Sequence, residues 1–190
     1  MGAVGTAGLM TAEKFVSLPV PDHGRPWNLV DGEVVVNSAS WRHQEAADTI
    51  LVALRTWSQA AAGRGSAGST IDVQVDERNV YAPDVWWYSV DRLPSADAPA
   101  PYPMPDLAVE VRSPSTWRHD IGAKRVGYER HGLRELWLVD TEARTVLVFR
   151  RTRPGSDRFN TSLELGESEA LTSPLLPEFS LPVLEVFALD

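Results

Sequence analysis

Hydrophobic and polar positions change period several times along the chain, and each change marks an element. A short helical run spans Met10 to Leu18, with Thr11 suited to cap it. Pro19, Pro21, Gly24 and Pro26 then interrupt regular structure. Leu29-Val30 and Glu33 to Val36 flank Asp31-Gly32, a pair that favours a two-residue hairpin turn. Ser38 or Ser40 can cap a helix running to about Ala62, on which Ala47, Ile50, Leu51, Leu54 and Trp57 recur at helical spacing. Gly63-Arg64-Gly65 closes it.

The next segments alternate with period two. Ile71, Val73 and Val75 predict a strand, with a turn over Asp76 to Asn79 and a return through Val80-Tyr81. Pro83-Asp84 leads into Val85 to Tyr88, where alternation sends Trp87 inward with Val85 and turns Trp86 and Tyr88 the other way. Arg92 to Pro105 contains five prolines and predicts an irregular loop. Asp106 to Arg112 predicts a strand with Asp106, Ala108, Glu110 and Arg112 on one face and Leu107, Val109 and Val111 on the other. Ser113 to Thr116 reads as a turn. A helix is predicted from about His119 to His131, closed by Gly132. Glu135 to Val139 predicts a second strand parallel to the first through a crossover, with Arg144 to Arg151 pairing back. The tail, Leu163 to Leu165 and then to Phe187, reads as edge structure. The fold class is α/β: one domain over residues 11–190, a mixed β-sheet flanked by helices, with added strands at both ends. A Gly/Ala-rich lead over residues 1–10 is expected to be disordered.

Composition narrows the chemistry. The chain has no cysteine, which excludes disulfides, thiolate catalysis and cysteine-bound zinc, and fits a cytoplasmic setting. No apolar run approaches the ~20 residues of a membrane helix, and the first ten residues lack the blocks of a signal peptide. A net charge of −8 argues against non-specific coating of nucleic acid. Locally the sign reverses: Arg112 to Arg134 carries six basic residues against Asp120 and Glu129. The chain has only two lysines, Lys14 and Lys124.

Glu110 is an acid among Leu107, Ala108, Val109 and Val111, and burying it requires a cation, a proton or hydrogen bonds. Asp84 sits in a similar setting. Two acids aimed into one pocket suit a divalent metal, and an all-oxygen donor set suits Mg²⁺ or Mn²⁺; separate pairing of each acid with an arginine is the alternative. Lys124 either pairs with Asp120 on a solvated helix face or lies on an inward stripe with Ile121 and Tyr128, pointing at Glu110. Glu33 is either a third acid near the metal or a solvent-facing strand residue. His43, in a first helical turn, reads more readily as surface than as ligand. The Trp86-Trp87-Tyr88 run could stack on bases. The sequence holds no recognisable serine-hydrolase spacing and no glycine-rich phosphate loop.

These residues carry a resemblance. Pro83-Asp84, Pro105-Asp106-Leu107-Ala108-Val109-Glu110-Val111, Ser113 to Thr116, Asp120, Lys124, Tyr128, Gly132 and Glu135 to Asp140 resemble the Uma-type putative restriction endonuclease family of the PD-(D/E)xK nuclease superfamily. Asp31-Gly32-Glu33 with His43, and Leu175 to Pro182, extend the likeness from about Met10 to Phe187. The resemblance implies a restriction endonuclease-like core that hydrolyses DNA phosphodiesters, with Asp84, Glu110 and the Val111 carbonyl as ligands of Mg²⁺ or Mn²⁺. The superfamily lysine usually follows the glutamate by two residues, where this chain has Arg112; the resemblance implies that Lys124 takes that role from the helix. Arg112, Arg118 and Arg125 are candidates for DNA contact. A homodimer is expected, since cutting two strands takes two sites. The alternatives are an inactive nuclease fold that binds DNA or assembles with protein, and a protein-interaction module.

Overall fold

The computed structural model describes residues 9–19, 27–153 and 155–188. The lead through Gly8 and the break at Pro21, Gly24 and Pro26 lie outside the described residues. The chain opens with α1 (Ala12–Val16), capped by the Thr11 hydroxyl, which accepts the Lys14 N–H. The hairpin β1 (Trp27–Val30) and β2 (Glu33–Val36) follows, with Asp31 and Gly32 both at positive φ (51° and 82°), as a tight two-residue turn requires. Next come α2 (Trp41–Gln59), β3 (Ser66–Ser69), β4 (Val73–Asp76), β5 (Asn79–Tyr81) and β6 (Val85–Tyr88). The proline-rich loop leads to β7 (Leu107–Val111). Then come α3 (Trp117–His119), α4 (Arg125–Arg130), β8 (Glu135–Asp140), β9 (Thr145–Arg150), β10 (Thr161–Leu165), β11 (Ala170–Ser173), β12 (Leu176–Pro182) and α5 (Val183–Val186).

A six-stranded sheet, in the order β10-β9-β8-β7-β6-β3, forms the middle layer. β7 and β8 are parallel and the other neighbours antiparallel, so the predicted crossover and mixed sheet are both present. Strand alternation gives the sheet two apolar faces. Val85, Trp87, Val109, Val111, Trp137 and Val148 pack against Ile50, Leu54 and Trp57 of α2. Ala108, Leu136 and Leu138 pack against Tyr128 and the small sheet β2-β1-β5-β4. The edge strand β3 was not expected from its Ser-Ala-Gly-Ser sequence. Its Gly68 lies under the Trp86 indole, which a side chain at that position would strike.

Two expectations are corrected. The tail is not edge structure beyond β10. β11 and β12 pair with each other and fold back with α5, so that Leu171, Phe179, Leu181, Val183, Val186 and Phe187 complete the α2 core. Trp57 Nε1 donates to the Pro177 carbonyl at 2.8 Å and ties this cover to α2. The helix predicted over His119–His131 is also not continuous. It starts at Trp117, widens over Asp120–Lys124 and kinks at Gly122 (φ −104°, ψ −105°) before α4. The kink turns Ile121 outward, 42% exposed, while Lys124 and Tyr128 remain buried. Glycine in a helix interior is the sequence sign of this break.

Candidate active site

The end of β7 and the start of β6 meet below the first turn of α2, and the kinked helix closes over the other side. Alternation on β7 turns Glu110 away from α2, and the side chain is only 3% exposed. Its Oε1 accepts the Tyr128 hydroxyl at 2.7 Å and lies 2.6 Å from Lys124 Nζ. The same ammonium is 3.0 Å from Asp120 Oδ1, and Thr116 Oγ1 donates to Asp120 Oδ2 at 2.9 Å. Lys124, Asp120 and Thr116 are all buried. The Gly122 kink therefore brings a lysine and an acid of one helix segment inward together.

Asp84 immediately precedes β6. Its Oδ2 accepts the Val111 N–H at 2.7 Å, which crosses to the end of β7. Its Oδ1 lies 3.1 Å from His43 Nε2, and His43 Nδ1 lies 3.4 Å from the Arg112 carbonyl. A neutral imidazole can donate to only one of these two acceptors, whereas the imidazolium donates to both. Burial disfavours the imidazolium, but the Asp84 hydrogen bond and charge, the Arg112 carbonyl and the Glu110 charge outweigh it and raise the His43 pKa. His43 is 1% exposed and is not the surface residue its sequence position suggests.

The donor chemistry fits a hard divalent cation. Two carboxylates and a strand carbonyl offered only by oxygen suit Mg²⁺ or Mn²⁺. Among the described residues no three His, Asp or Glu side chains form a ready cage, so solvent or substrate oxygens would have to complete any such site.

The electrostatics point the same way. Burial raises the Glu110 pKa, Lys124 works to lower it, and the Asp120 and Asp84 charges raise it further, to about 8. Burial also disfavours a charged Lys124, but Asp120 and Glu110 outweigh it and hold the ammonium above its ordinary range. Between pH 4.5 and about 8 folded Glu110 binds a proton that the unfolded chain has lost, so its contribution to stability is full below 4.5 and fades through 8. His43, raised above 6.5, adds the same sign. Thermal unfolding in a chelator should thus show Tm falling from about pH 5 to about pH 8, more steeply than in Glu110→Gln. A Tm that climbs over this range contradicts the assignment.

Residues 12–184 match the model of the family described as Uma2, putative restriction endonuclease. The chain belongs to the Uma2 family. The crystal structure of a putative nuclease belonging to DUF820, from Anabaena variabilis, has the same fold, with a TM-score of 0.77 over 94% of this chain and 98% of that one. At 16% identity that likeness speaks to the fold alone. No curated protein matches the chain. The restriction endonuclease-like α/β core read from the sequence is the fold this Uma2 chain has. Among the described residues no helix is long and apolar enough to cross a membrane.

Other residues singled out in the sequence lie around this Uma2 site or away from it. The Arg112 guanidinium turns from Glu110 to Asp140 at 2.9 Å and Glu142 at 2.7 Å, and lies 5.6 Å over the Trp117 ring. Arg118 is exposed, with its Nε 3.2 Å from His119 Nε2. Arg125 is half-buried, donates to the Ile121 carbonyl and lies over Phe149. Glu33 is exposed at the start of β2, the solvent-facing position that was one of its two readings. Trp87 packs inward and Trp86 meets Tyr88 on the opposite face, as alternation predicts. From sequence, Asp120 stands out only as the partner in a solvated ion pair and Thr116 has no evident role. Their spacing of four residues ahead of a helix-breaking glycine was the available signal.

Proposed function

We propose that this Uma2 chain is a Mg²⁺-dependent DNA endonuclease whose site is Asp84, Glu110, the Val111 carbonyl and Lys124. The observation that carries the reading is the convergence of Glu110, Lys124 and Asp120 in one buried cluster. Asp84 is joined to the next residue of the same strand, Val111, through its N–H. Asp84 and Glu110, with the Val111 carbonyl, would hold the metal. When bound, Mg²⁺ or Mn²⁺ supplies Lewis acidity toward water and the phosphate oxygens.

The chain's own residues supply the rest. His43 fixes the Asp84 carboxylate and Tyr128 fixes Glu110, so neither acid has to be ordered when substrate arrives. Lys124 stays protonated at neutral pH because its acidic neighbours hold its charge. It therefore acts as a fixed cation beside the phosphate and as a donor that orients water, not as a base. Arg112 cannot replace it as a proton acceptor. Arg112, Arg118 and Arg125 are the candidates for phosphate contact, and pairing of two chains would supply the second cut; sedimentation as a monomer at micromolar concentration argues against the homodimer.

The test is cleavage of plasmid and linear DNA with Mg²⁺ or Mn²⁺, halted by a chelator and by Asp84→Asn. Equal products from wild type and Asp84→Asn place the activity elsewhere. A second reading, a nuclease fold that binds DNA or assembles with protein without cutting, draws on Glu110 Oε1 already holding both Lys124 and Tyr128. It predicts DNA or protein binding with no Mg²⁺-linked signal that depends on Asp84 or Glu110.

A further inference from the structure

A small concavity opens where the end of α2 meets β3. Its volume is about 190 Å³, and Arg55, Ser58, Gln59, Gly65, Ser66 and Ala67 line it. No acid is among them, although the chain carries a net charge of −8. β3 is the last strand of the six-stranded sheet. Ser66 and Ala67 pair with Tyr88 and Trp87, at the end of β6 remote from Asp84, so the concavity is separate from the candidate active site. Gly65, at φ 70°, turns the chain into β3 so closely that a Cβ there would strike the Tyr88 carbonyl.

The walls present donors. Arg55 Nε donates to the Ala67 carbonyl at 3.2 Å, which leaves both terminal guanidinium nitrogens outside that bond. Among the described residues no carboxylate pairs with Arg55. A strand residue's N–H and C=O point to the same side in an antiparallel ladder. The Ala67 carbonyl faces Arg55, so the Ala67 N–H also faces out from the sheet edge; Trp87, opposite it on β6, gives its own carbonyl to the Asp106 N–H. Ser58 is only 8% exposed, and its hydroxyl has no hydrogen-bond partner among the described residues. A buried hydroxyl left without a partner is costly, and a ligand oxygen in the concavity would remove that cost. Two carbonyls of the last α2 turn are already engaged: Ala60 N–H reaches those of Thr56 and Trp57, and Arg64 Nη1 also donates to Trp57. This blunts the negative end of the helix dipole.

We propose that this concavity binds a phosphate group, whose oxygens accept from the Arg55 terminal nitrogens, the Ser58 hydroxyl and the Ala67 N–H. A guanidinium fork beside a backbone N–H and a hydroxyl matches a tetrahedral oxyanion, and a lining without carboxylates adds no repulsion. A neutral ligand would leave the guanidinium unpaired. The phosphate is either the free inorganic ion or one of a nucleic-acid strand, and the chemistry that holds it is the same. The proposal stands whether or not Asp84 and Glu110 form a nuclease centre.

The test is a ¹H–¹⁵N NMR titration of the whole chain with sodium phosphate at neutral pH, against sodium chloride at matched ionic strength. The Ala67 amide is expected to shift saturably with phosphate alone, and Arg55→Gln and Ser58→Ala should each weaken that binding about 10-fold. Arg55 is exposed and the Ser58 hydroxyl has no partner, so both variants should fold, and the melting temperature checks that. Anisotropy of a labelled DNA duplex, in a chelator at low salt, identifies the source of the phosphate. Weaker binding by Arg55→Gln, with a salt slope reduced by about one, assigns the site to a strand phosphate, and unchanged binding assigns it to the free ion. No saturable shift at Ala67, or a phosphate titration left unchanged in either variant, overturns the proposal. Weaker DNA binding without a phosphate response at Ala67 overturns it too, since any surface arginine would give that result.

Discussion

Lys124→Met is expected to destabilise the metal-free protein by about 3–5 kcal/mol at pH 8, and by far less at pH 5. The substitution keeps most of the side-chain volume, so little of this is a packing loss. What it removes is the cation 2.6 Å from Glu110 and 3.0 Å from Asp120, both nearly inaccessible to water. Without it Glu110 is left buried beside Asp120 and Asp84 with no cation. Its folded pKa then rises further, its unfolded value stays near that of a free side chain, and the cost grows as pH rises. At pH 5 a protonated Glu110 no longer needs the lysine. Urea unfolding at the two pH values checks this, and an equal loss at both would assign Lys124 a packing role instead. Mg²⁺ should restore part of the stability at pH 8 if the acids hold it.

Glu110→Gln is expected to reduce Mg²⁺-dependent DNA hydrolysis by about 10³-fold, the scale seen when one fixed electrostatic group is removed from a site. Glutamine is nearly isosteric with glutamate, and its carbonyl can still accept from Tyr128 and Lys124. Loss of activity should therefore come without loss of fold. Metal-free stability at pH 8 should hold or rise, because a desolvated acid pushed up to about 8 has been removed. Opposite signs for activity and stability mark a functional group held against its own stability. A variant that loses both together would mean that Glu110 is structural.

The strands around the site were legible because their alternation survives in the sequence. Val109 and Val111 against Ala108 and Glu110 is the pattern of a strand with two apolar sides, and it placed Glu110 correctly on one face. The hairpin turn at Asp31-Gly32 was equally plain, since few residue pairs accept two positive φ values in succession. The kinked helix was less legible. A straight helix would carry Ile121 inward with Lys124 and Tyr128, and only the backbone break at Gly122 separates them. His43 was misread because local sequence says nothing of what a helix N-terminus faces, here Asp84 and the Arg112 carbonyl, 41 and 69 residues away. The tail was misread for the same reason. Its prolines resemble edge punctuation, while the cover it forms over Trp57 is a long-range contact.

The proposed centre is tested most directly by soaking a crystal in Mn²⁺ and recording its anomalous scattering. The account predicts one strong peak at bonding distance from the Asp84 and Glu110 carboxylates and the Val111 carbonyl, near the Lys124 amine, and no such peak in Glu110→Gln. At saturating Mn²⁺, a peak elsewhere or none at this site, in protein that still cuts DNA, would contradict it.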